Sequence, residues 1–190
     1  MNSIKTDHVL DAKNLSCPMP IVKTKKAMND IRPGQVLEIQ ATDKGSTADL
    51  KAWSENTGNQ YLGTIEEGAI IRHYLRKSAD EELAETKHPI VINNEQLLTK
   101  INTDEDIVIL DVREPSEFVF NHIPGSVSIP FGELASRIHE VNEDDDIYVI
   151  CRTGSRSDLA AQQLTKKGFK KVTNVIPGMS TWKGETTKLI

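Results

Sequence analysis

Ile147-Tyr148-Val149-Ile150-Cys151-Arg152-Thr153-Gly154-Ser155-Arg156-Ser157 passes from apolar to polar within a few residues. The four apolar residues read as a strand, and the Ala/Leu/Gln-rich segment after Ser157 reads as a helix. A strand therefore delivers a cysteine to a short loop, and a helix begins where the loop ends. Backbone N–H groups of such a loop could turn inward as an anion-binding nest, reinforced by the positive end of the helix behind it. A thiol held there ionises more readily than a free one and is the better nucleophile at neutral pH. The plainer reading is a small apolar residue at a strand end followed by an ordinary loop. The flanking sequence weighs against it.

Upstream, Ile107-Val108-Ile109-Leu110-Asp111-Val112 is a continuous apolar run of the type buried in a parallel sheet, and it ends in Arg113-Glu114-Pro115-Ser116-Glu117-Phe118. Pro89-Ile90-Val91-Ile92 reads as an opening strand, with Asn94 capping a short helix through Leu98. His122-Ile123-Pro124-Gly125-Ser126 and a helix around Glu133–Glu140 lead into the strand before Cys151. Downstream, the helix runs to Lys167 with Gly168 as its terminator; Val172–Ile176 is a last strand, followed by Pro177-Gly178-Met179 and Trp182. Strands alternating with helices predict a parallel, doubly wound α/β domain, in which ligands sit at the carboxyl ends of strands. Cys151 falls at such an end.

The first part of the chain has a different rhythm. A short strand Val9–Ala12 and a turn at Asn14-Leu15-Ser16 precede Cys17-Pro18-Met19-Pro20, which leads into a Lys-rich helix with an apolar face at Ile21, Thr24/Lys25, Met28 and Ile31. Both prolines fit a first helical turn, where the missing N–H has no intrahelical partner. Pro18 is expected at the first helical position and Cys17 at the N-cap, beside orphan N–H groups and the positive dipole end, which favours the thiolate. The plainer role for Cys17 is packing under the helix start. Arg32-Pro33-Gly34 stops that helix, and Val36–Ala41 alternates as a strand. Ser46-Thr47-Ala48-Asp49 resembles a capping box opening a second helix that ends near Thr57-Gly58. Strands Gln60–Ile65 and Ala69–Leu75 follow, joined by Glu66-Glu67-Gly68. The order β-α-β-α-β-β predicts a small two-layer sandwich with both helices on one face.

Residues 1–77 hold 11 Lys/Arg against 9 Asp/Glu, residues 78–89 one against four, and residues 90–190 hold 11 against 15. That pattern divides the chain into a first domain at 1–77, an acidic linker at 78–89 and a second domain at 90–190. The linker would keep the two cysteines at an effective concentration on the order of millimolar. There is no basic excess of the kind a nucleic-acid reader carries. With 37% hydrophobic and 27% charged residues the composition is that of a soluble globular protein. No apolar run approaches the roughly 20 residues that span a bilayer, and the N-terminus lacks the apolar core of a signal peptide. Two cysteines, without CxxC spacing, suit neither a disulfide framework nor a zinc site. A reducing cytoplasm is the expected compartment, with no metal and no cofactor.

Two resemblances follow. Leu10-Asp11, Leu15-x-Cys17-Pro18-x-Pro20, Pro33-Gly34-x-Val36-Leu37, Ala41-Thr42-Asp43 and Gly45-Ser46 closely resemble the TusA/SirA family of small sulfur-carrier proteins, over about residues 8–76. Asn14 stands where that family usually has glycine, and Asn tolerates the same left-handed backbone. Leu110-Asp111-Val112-Arg113-Glu114, His122-Ile123-Pro124-Gly125-Ser126, Cys151-Arg152-x-Gly154-x-Arg156-Ser157, Gly168-Phe169 and Pro177-Gly178-Met179-x-x-Trp182 resemble a single-domain rhodanese over about residues 93–185. The rhodaneses have Gly-Gly-Met where Pro177-Gly178-Met179 stands, which should stiffen that loop. The combined order looks like the bacterial TusA–rhodanese fusions.

The resemblance implies a sulfurtransferase in which Cys151 takes sulfane sulfur from thiosulfate or a low-molecular-weight persulfide. The sulfur then passes to Cys17 and on to a thiol acceptor, a protein among the candidates. The loop residues Arg152, Thr153, Gly154, Ser155, Arg156 and Ser157, with Arg113, are expected to receive the donor; Asp111, Pro18 and Pro20 are expected to support the two thiols. For Asp111 and Arg113 an ion pair bracing the loops is the competing reading, and His122 is expected to brace its turn. Two rivals stay open: a redox-sensing or anion-binding module with a Cys17–Cys151 disulfide, and a cysteine-dependent phosphatase. Four residues separate Cys151 from Arg156; phosphatase loops of this general kind are longer.

Overall fold

The structure, a computed structural model, describes residues 4–16, 18–78, 88–103 and 106–190. The chain forms two compact units, Met1–Asp80 and Glu81–Ile190.

The first unit runs β1 (His8–Ala12), α1 (Met19–Asp30), β2 (Val36–Ala41), α2 (Ser46–Thr57), β3 (Gln60–Glu67) and β4 (Ile70–Arg76), the element order expected. Its sheet is mixed, in the order β1-β2-β4-β3, with β1 parallel to β2 and the other pairs antiparallel. A parallel pair needs a crossover, and α1 supplies it. Leu37, Ile39 and Leu75 from the sheet, Met28 and Ile31 from α1 and its end, and Leu50 from α2 share one core. Both helices thus cover the same face, giving two layers. Asn14 adopts φ 59°, the left-handed conformation anticipated for it.

Helix α1 begins one residue later than expected. Pro18 is its N-cap and Pro20 lies in its first turn. The first helical hydrogen bond runs from Val22 N–H to the Pro18 carbonyl at 3.1 Å, and a residue whose carbonyl accepts that bond is by definition the cap. The buried stripe is Pro20, Thr24 and Met28, at four-residue steps, with Ile21 only half-buried.

Helix α2 has Gly45, not Ser46, at its N-cap, and no side-chain cap bond forms. Ser46 is engaged elsewhere: its hydroxyl donates to the Asp43 carbonyl at 2.5 Å and meets His73 Nε2 at 2.9 Å. Because the single Ser46 proton goes to Asp43, Nε2 must be the protonated nitrogen of the ring. On the other side Nδ1 accepts from the Tyr61 hydroxyl at 2.8 Å, and Tyr61 accepts in turn from Thr64. His73 is fully buried in β4. Burial of the ring pushes its pKa down from 6.5 to about 4, so it is neutral and pins α2 to β3 and β4.

The second unit comprises β5 (Val91–Asn93), α3 (Asn94–Asn102), β6 (Val108–Asp111), α4 (Pro115–Phe120), β7 (Val127–Ser128), α5 (Leu134–Arg137), β8 (Ile147–Ile150), α6 (Ser155–Lys166) and β9 (Val172–Ile176). Five parallel strands lie in the order β5-β9-β8-β6-β7. One face packs Leu110, Ile147 and Val149 against Leu134 of α5 and Ala160, Ala161 and Leu164 of α6. The other packs Ile109, Tyr148, Ile150 and Val175 against Leu97 of α3. Helices on both faces make the sheet doubly wound, and they account for apolar runs that do not alternate.

Two details differ from expectation and one adds to it. Asn93 rather than Asn94 caps α3, in a reciprocal box with Gln96, and the helix continues to Asn102 because Leu97 and Ile101 extend its apolar face. The segment after Arg113 is helical: Pro115 occupies the first turn of α4, and Glu117 reaches back to the Glu114 N–H at 3.0 Å. The helix expected at 133–140 is a single α turn, α5, between the 3-10 turns Phe131–Glu133 and Ile138–Glu140.

Candidate active site

Strand β8 is the middle strand of the five, buried along its whole length, and it ends at Cys151, whose surface is also fully covered. Gly154 turns the chain into α6 at φ +102°, a conformation that side chains other than glycine's rarely adopt. A Cβ there would also stand 2.3 Å from Cγ2 of Ile176. This conformation aims the Gly154 N–H at Cys151 Sγ, at 3.1 Å. Ser157, in the first turn of α6, brings its Oγ to 3.3 Å from the same sulfur. The sulfur thus faces a backbone donor, a hydroxyl and the amino end of a 12-residue helix, a setting that stabilises negative charge on it.

The carbonyl side of the loop is fastened by the segment after β9. Met179 N–H donates to the Cys151 carbonyl and Ser180 N–H to that of Arg152, each at 2.9 Å. Gly178 permits this approach, since a Cβ on it would lie 2.3 Å from the Cys151 oxygen. The Ile176–Pro177 peptide is cis. Asn174 of β9 reaches into the loop as well, its Nδ2 donating to the Gly154 carbonyl at 3.2 Å and its Oδ1 lying 2.6 Å from Ser157 Oγ.

Two arginines expected to receive an anionic donor are instead committed to buried carboxylates. Arg156 grips Glu117 of α4 through both terminal nitrogens, at 2.8 and 3.1 Å. Arg113 binds both oxygens of Asp111, the closest at 2.6 Å, and donates to the Asn121 carbonyl. Both pairs are almost wholly covered. Burial works against the Arg113 charge, but the carboxylates of Asp111 and Glu117 outweigh burial and the Arg156 charge and hold its pKa above the ordinary value. A buried guanidinium left without a carboxylate would be costly, so these pairs brace β6, α4 and α6 around the loop. The Asp111–Arg113 contact has the geometry of an ion pair bracing the loops. Arg152 and Thr153 are partly exposed on the loop, while Ser155 is buried at the helix start. His122 braces its turn as expected, with Nδ1 2.7 Å from the Phe118 carbonyl and its ring stacked on Phe118.

Cys17, the other predicted thiol, lies outside the described residues, as does most of the expected linker. Next to it, Pro18 caps α1 and Pro20 is buried, while Met19 and Val22 are exposed on the first turn of the helix. Sequence reasoning missed Glu117 and Asn174. Each carried a signal: a carboxylate three residues into a Pro-started helix, and the one amide in the largely apolar, buried β9. Among the described residues no group of His, Cys, Asp and Glu side chains could hold a metal ion, and no helix is long and apolar enough to cross a membrane.

The chain matches the family model described as Rhodanese-like domain over residues 93–185 and that described as Sulfurtransferase TusA over residues 8–77. It is 54% identical over 183 residues to YrkF of Bacillus subtilis, a candidate sulfur carrier protein, covering 96% of this chain and 99% of YrkF. The sulfur carrier protein TusA of Allochromatium vinosum is 43% identical over 72 residues, 38% of this chain and 95% of that protein. A sulfurtransferase of the same organism is 31% identical over 91 residues, 48% of this chain and 85% of its own length.

Proposed function

Since the chain belongs to the TusA–rhodanese fusions, a family of sulfur carriers and sulfurtransferases, we propose that Cys151 loads sulfane sulfur and hands it to Cys17. In the loading step the Cys151 thiolate attacks the outer sulfur of thiosulfate or of a low-molecular-weight persulfide. A new S–S bond forms to Sγ, the donor's S–S bond breaks, and sulfite or a thiolate leaves with the bonding electron pair. Cys151 then carries a persulfide anion, and charge is conserved. In the second step the Cys17 thiolate attacks the outer sulfur of that persulfide and the Cys151 thiolate is released, following the rules of thiol–disulfide exchange. No proton needs to be abstracted from carbon or water, consistent with a His122 occupied in bracing.

The observation that carries this reading is the Gly154 N–H directed at Sγ at 3.1 Å from the start of α6. Preorganised donors at a sulfur that gains or keeps negative charge lower the barrier without reorganising during the reaction. With Arg113 and Arg156 tied to carboxylates, the donor's anionic end is left to the backbone N–H groups of the loop and to Arg152, Thr153 and Ser155 around them. Residues 1–77 act as the carrier, 78–89 as the tether and 90–190 as the loading domain, working in a reducing cytoplasm.

Intact mass after incubation with thiosulfate tests the proposal. A gain of one sulfur atom, reversed by cyanide and absent in Cys151→Ala, supports it. A loss of two hydrogens on mild oxidation with no sulfur gain would make the protein a disulfide sensor. Hydrolysis of phenyl phosphates without sulfur loading would make it a phosphatase.

A further inference from the structure

Asn174 has no exposed surface, and both ends of its amide are spent inside the Cys151 loop. Its nitrogen donates to the Gly154 carbonyl, which leaves its oxygen to accept. Ser157 has one hydroxyl proton and two neighbours within reach, Asn174 Oδ1 at 2.6 Å and Cys151 Sγ at 3.3 Å. The shorter contact takes the proton, and a Ser157 lone pair is then turned to the sulfur. A protonated thiol can donate into that lone pair; a thiolate cannot.

We propose that Asn174 is a positioning residue that governs the ionisation of Cys151 by holding the Ser157 proton away from sulfur. Forming the thiolate requires the Ser157 hydroxyl to turn from Asn174 Oδ1 to Sγ, so the thiolate gains one hydrogen bond while Asn174 loses one. In a persulfide the charge lies on the outer sulfur, Sγ carries none, and the hydroxyl returns to Asn174. Charged side chains on the elements around the loop are Asp111 at the end of β6 and Arg113 after it, Glu117 on α4, Arg152 in the loop, and Arg156 and Asp158 on α6. Asp111 is paired with Arg113 and Glu117 with Arg156, and Asp158 accepts from the His88 N–H and from Gln162.

The inference deepens the reading of Cys151 as the loading nucleophile, but its test needs no sulfur donor. Full-length protein is alkylated with iodoacetamide, and the rate at the Cys151 peptide is followed by mass spectrometry. The measured quantity is the rate at the pH where the wild type reaches a tenth of its high-pH plateau, divided by each variant's own plateau. That ratio cancels differences in access to the buried sulfur. Asn174→Leu frees the hydroxyl for sulfur and should raise the ratio about threefold, while Ser157→Ala should lower it about threefold, since hydrogen bonds to charged groups carry at least that much. The double variant should match Ser157→Ala alone. An unchanged or lower ratio in Asn174→Leu, or the same rise when Ser157 is absent, overturns the proposal. Should Asn174→Leu fail to fold, Asn174→Asp replaces it: a stronger acceptor lowers the ratio more with Ser157 present than in the Ser157→Ala background. An equal fall in both backgrounds would be direct charge repulsion and would overturn the proposal. Failure of sulfur loading with these ratios as expected would refute the transfer function and leave the proton arrangement standing.

Discussion

Replacing Gly178 by alanine tests how tightly the loop around Cys151 is built. The new Cβ would stand 2.3 Å from the Cys151 carbonyl oxygen, 3.1 Å from the Arg152 oxygen and 3.2 Å from the Arg152 carbonyl carbon. These are backbone atoms, so no side chain can swing aside. To reach an ordinary contact the two segments must part by about 1 Å, and the φ of +77° at this position adds about 1–2 kcal/mol for any residue with a Cβ. Parting them stretches the bonds from Met179 and Ser180 to the two carbonyls, worth about 1 kcal/mol each. The second unit should lose about 3 kcal/mol in denaturant unfolding. Because the Cys151 peptide itself moves, thiosulfate:cyanide sulfurtransferase activity should fall about 100-fold, the usual penalty for a misplacement of that size. Activity within twofold of wild type at unchanged stability would refute the claim that this contact positions the sulfur.

Glu117→Gln leaves Arg156 buried against a neutral amide, and removing one member of a buried pair costs about 3–5 kcal/mol; calorimetry should register a lower transition for the second unit, and an unchanged Tm would mean the pair is not structural. Below pH 6.5 the unfolded chain binds a proton that folded His73, titrating at about 4, refuses. The first unit should therefore lose stability as pH falls from 6.5 towards 4, by about 3 kcal/mol in all. Denaturant titrations of a Trp182→Phe variant, followed by Trp53 fluorescence, would detect this, and His73→Gln should flatten the dependence. Cys17→Ala should leave cyanide-coupled activity intact and limit loading to one sulfur on Cys151. Loading of Cys17 in the Cys151→Ala protein to the wild-type extent would mean that the units work separately.

Much of this was legible in the residues because the strongest signals are local. An unbroken apolar run, a cysteine, a glycine and a polar helix start lie within one stretch, so β8, its loop and α6 emerge from periodicity alone. The position of the α1 cap was not fixed locally, since Pro18 and Pro20 both suit a first turn and only the Val22 to Pro18 bond decides between them. Ser46 misled for a related reason: it has the chemistry of a cap, but its hydroxyl is spent on Asp43 and His73, which lies 27 positions away. The arginines of the loop suggested anion contacts because charge is visible in a sequence and pairing is not. Arg156 meets Glu117 across 39 positions and Asn174 meets Gly154 across 20. An amide inside a buried strand does announce that it must find partners, but not which.

The loop's carbonyls have one more consequence. Those of Cys151, Arg152 and Gly154 are each held by a donor outside the turn: the Met179 and Ser180 N–H groups and the Asn174 amide. A peptide plane anchored by its oxygen cannot rotate, so the Arg152, Thr153 and Ser155 N–H groups, which share those planes, take their directions once, when the second unit folds. The Gly154 N–H that meets the sulfur belongs to the one peptide set between two anchored planes, so both of its flanks are fixed.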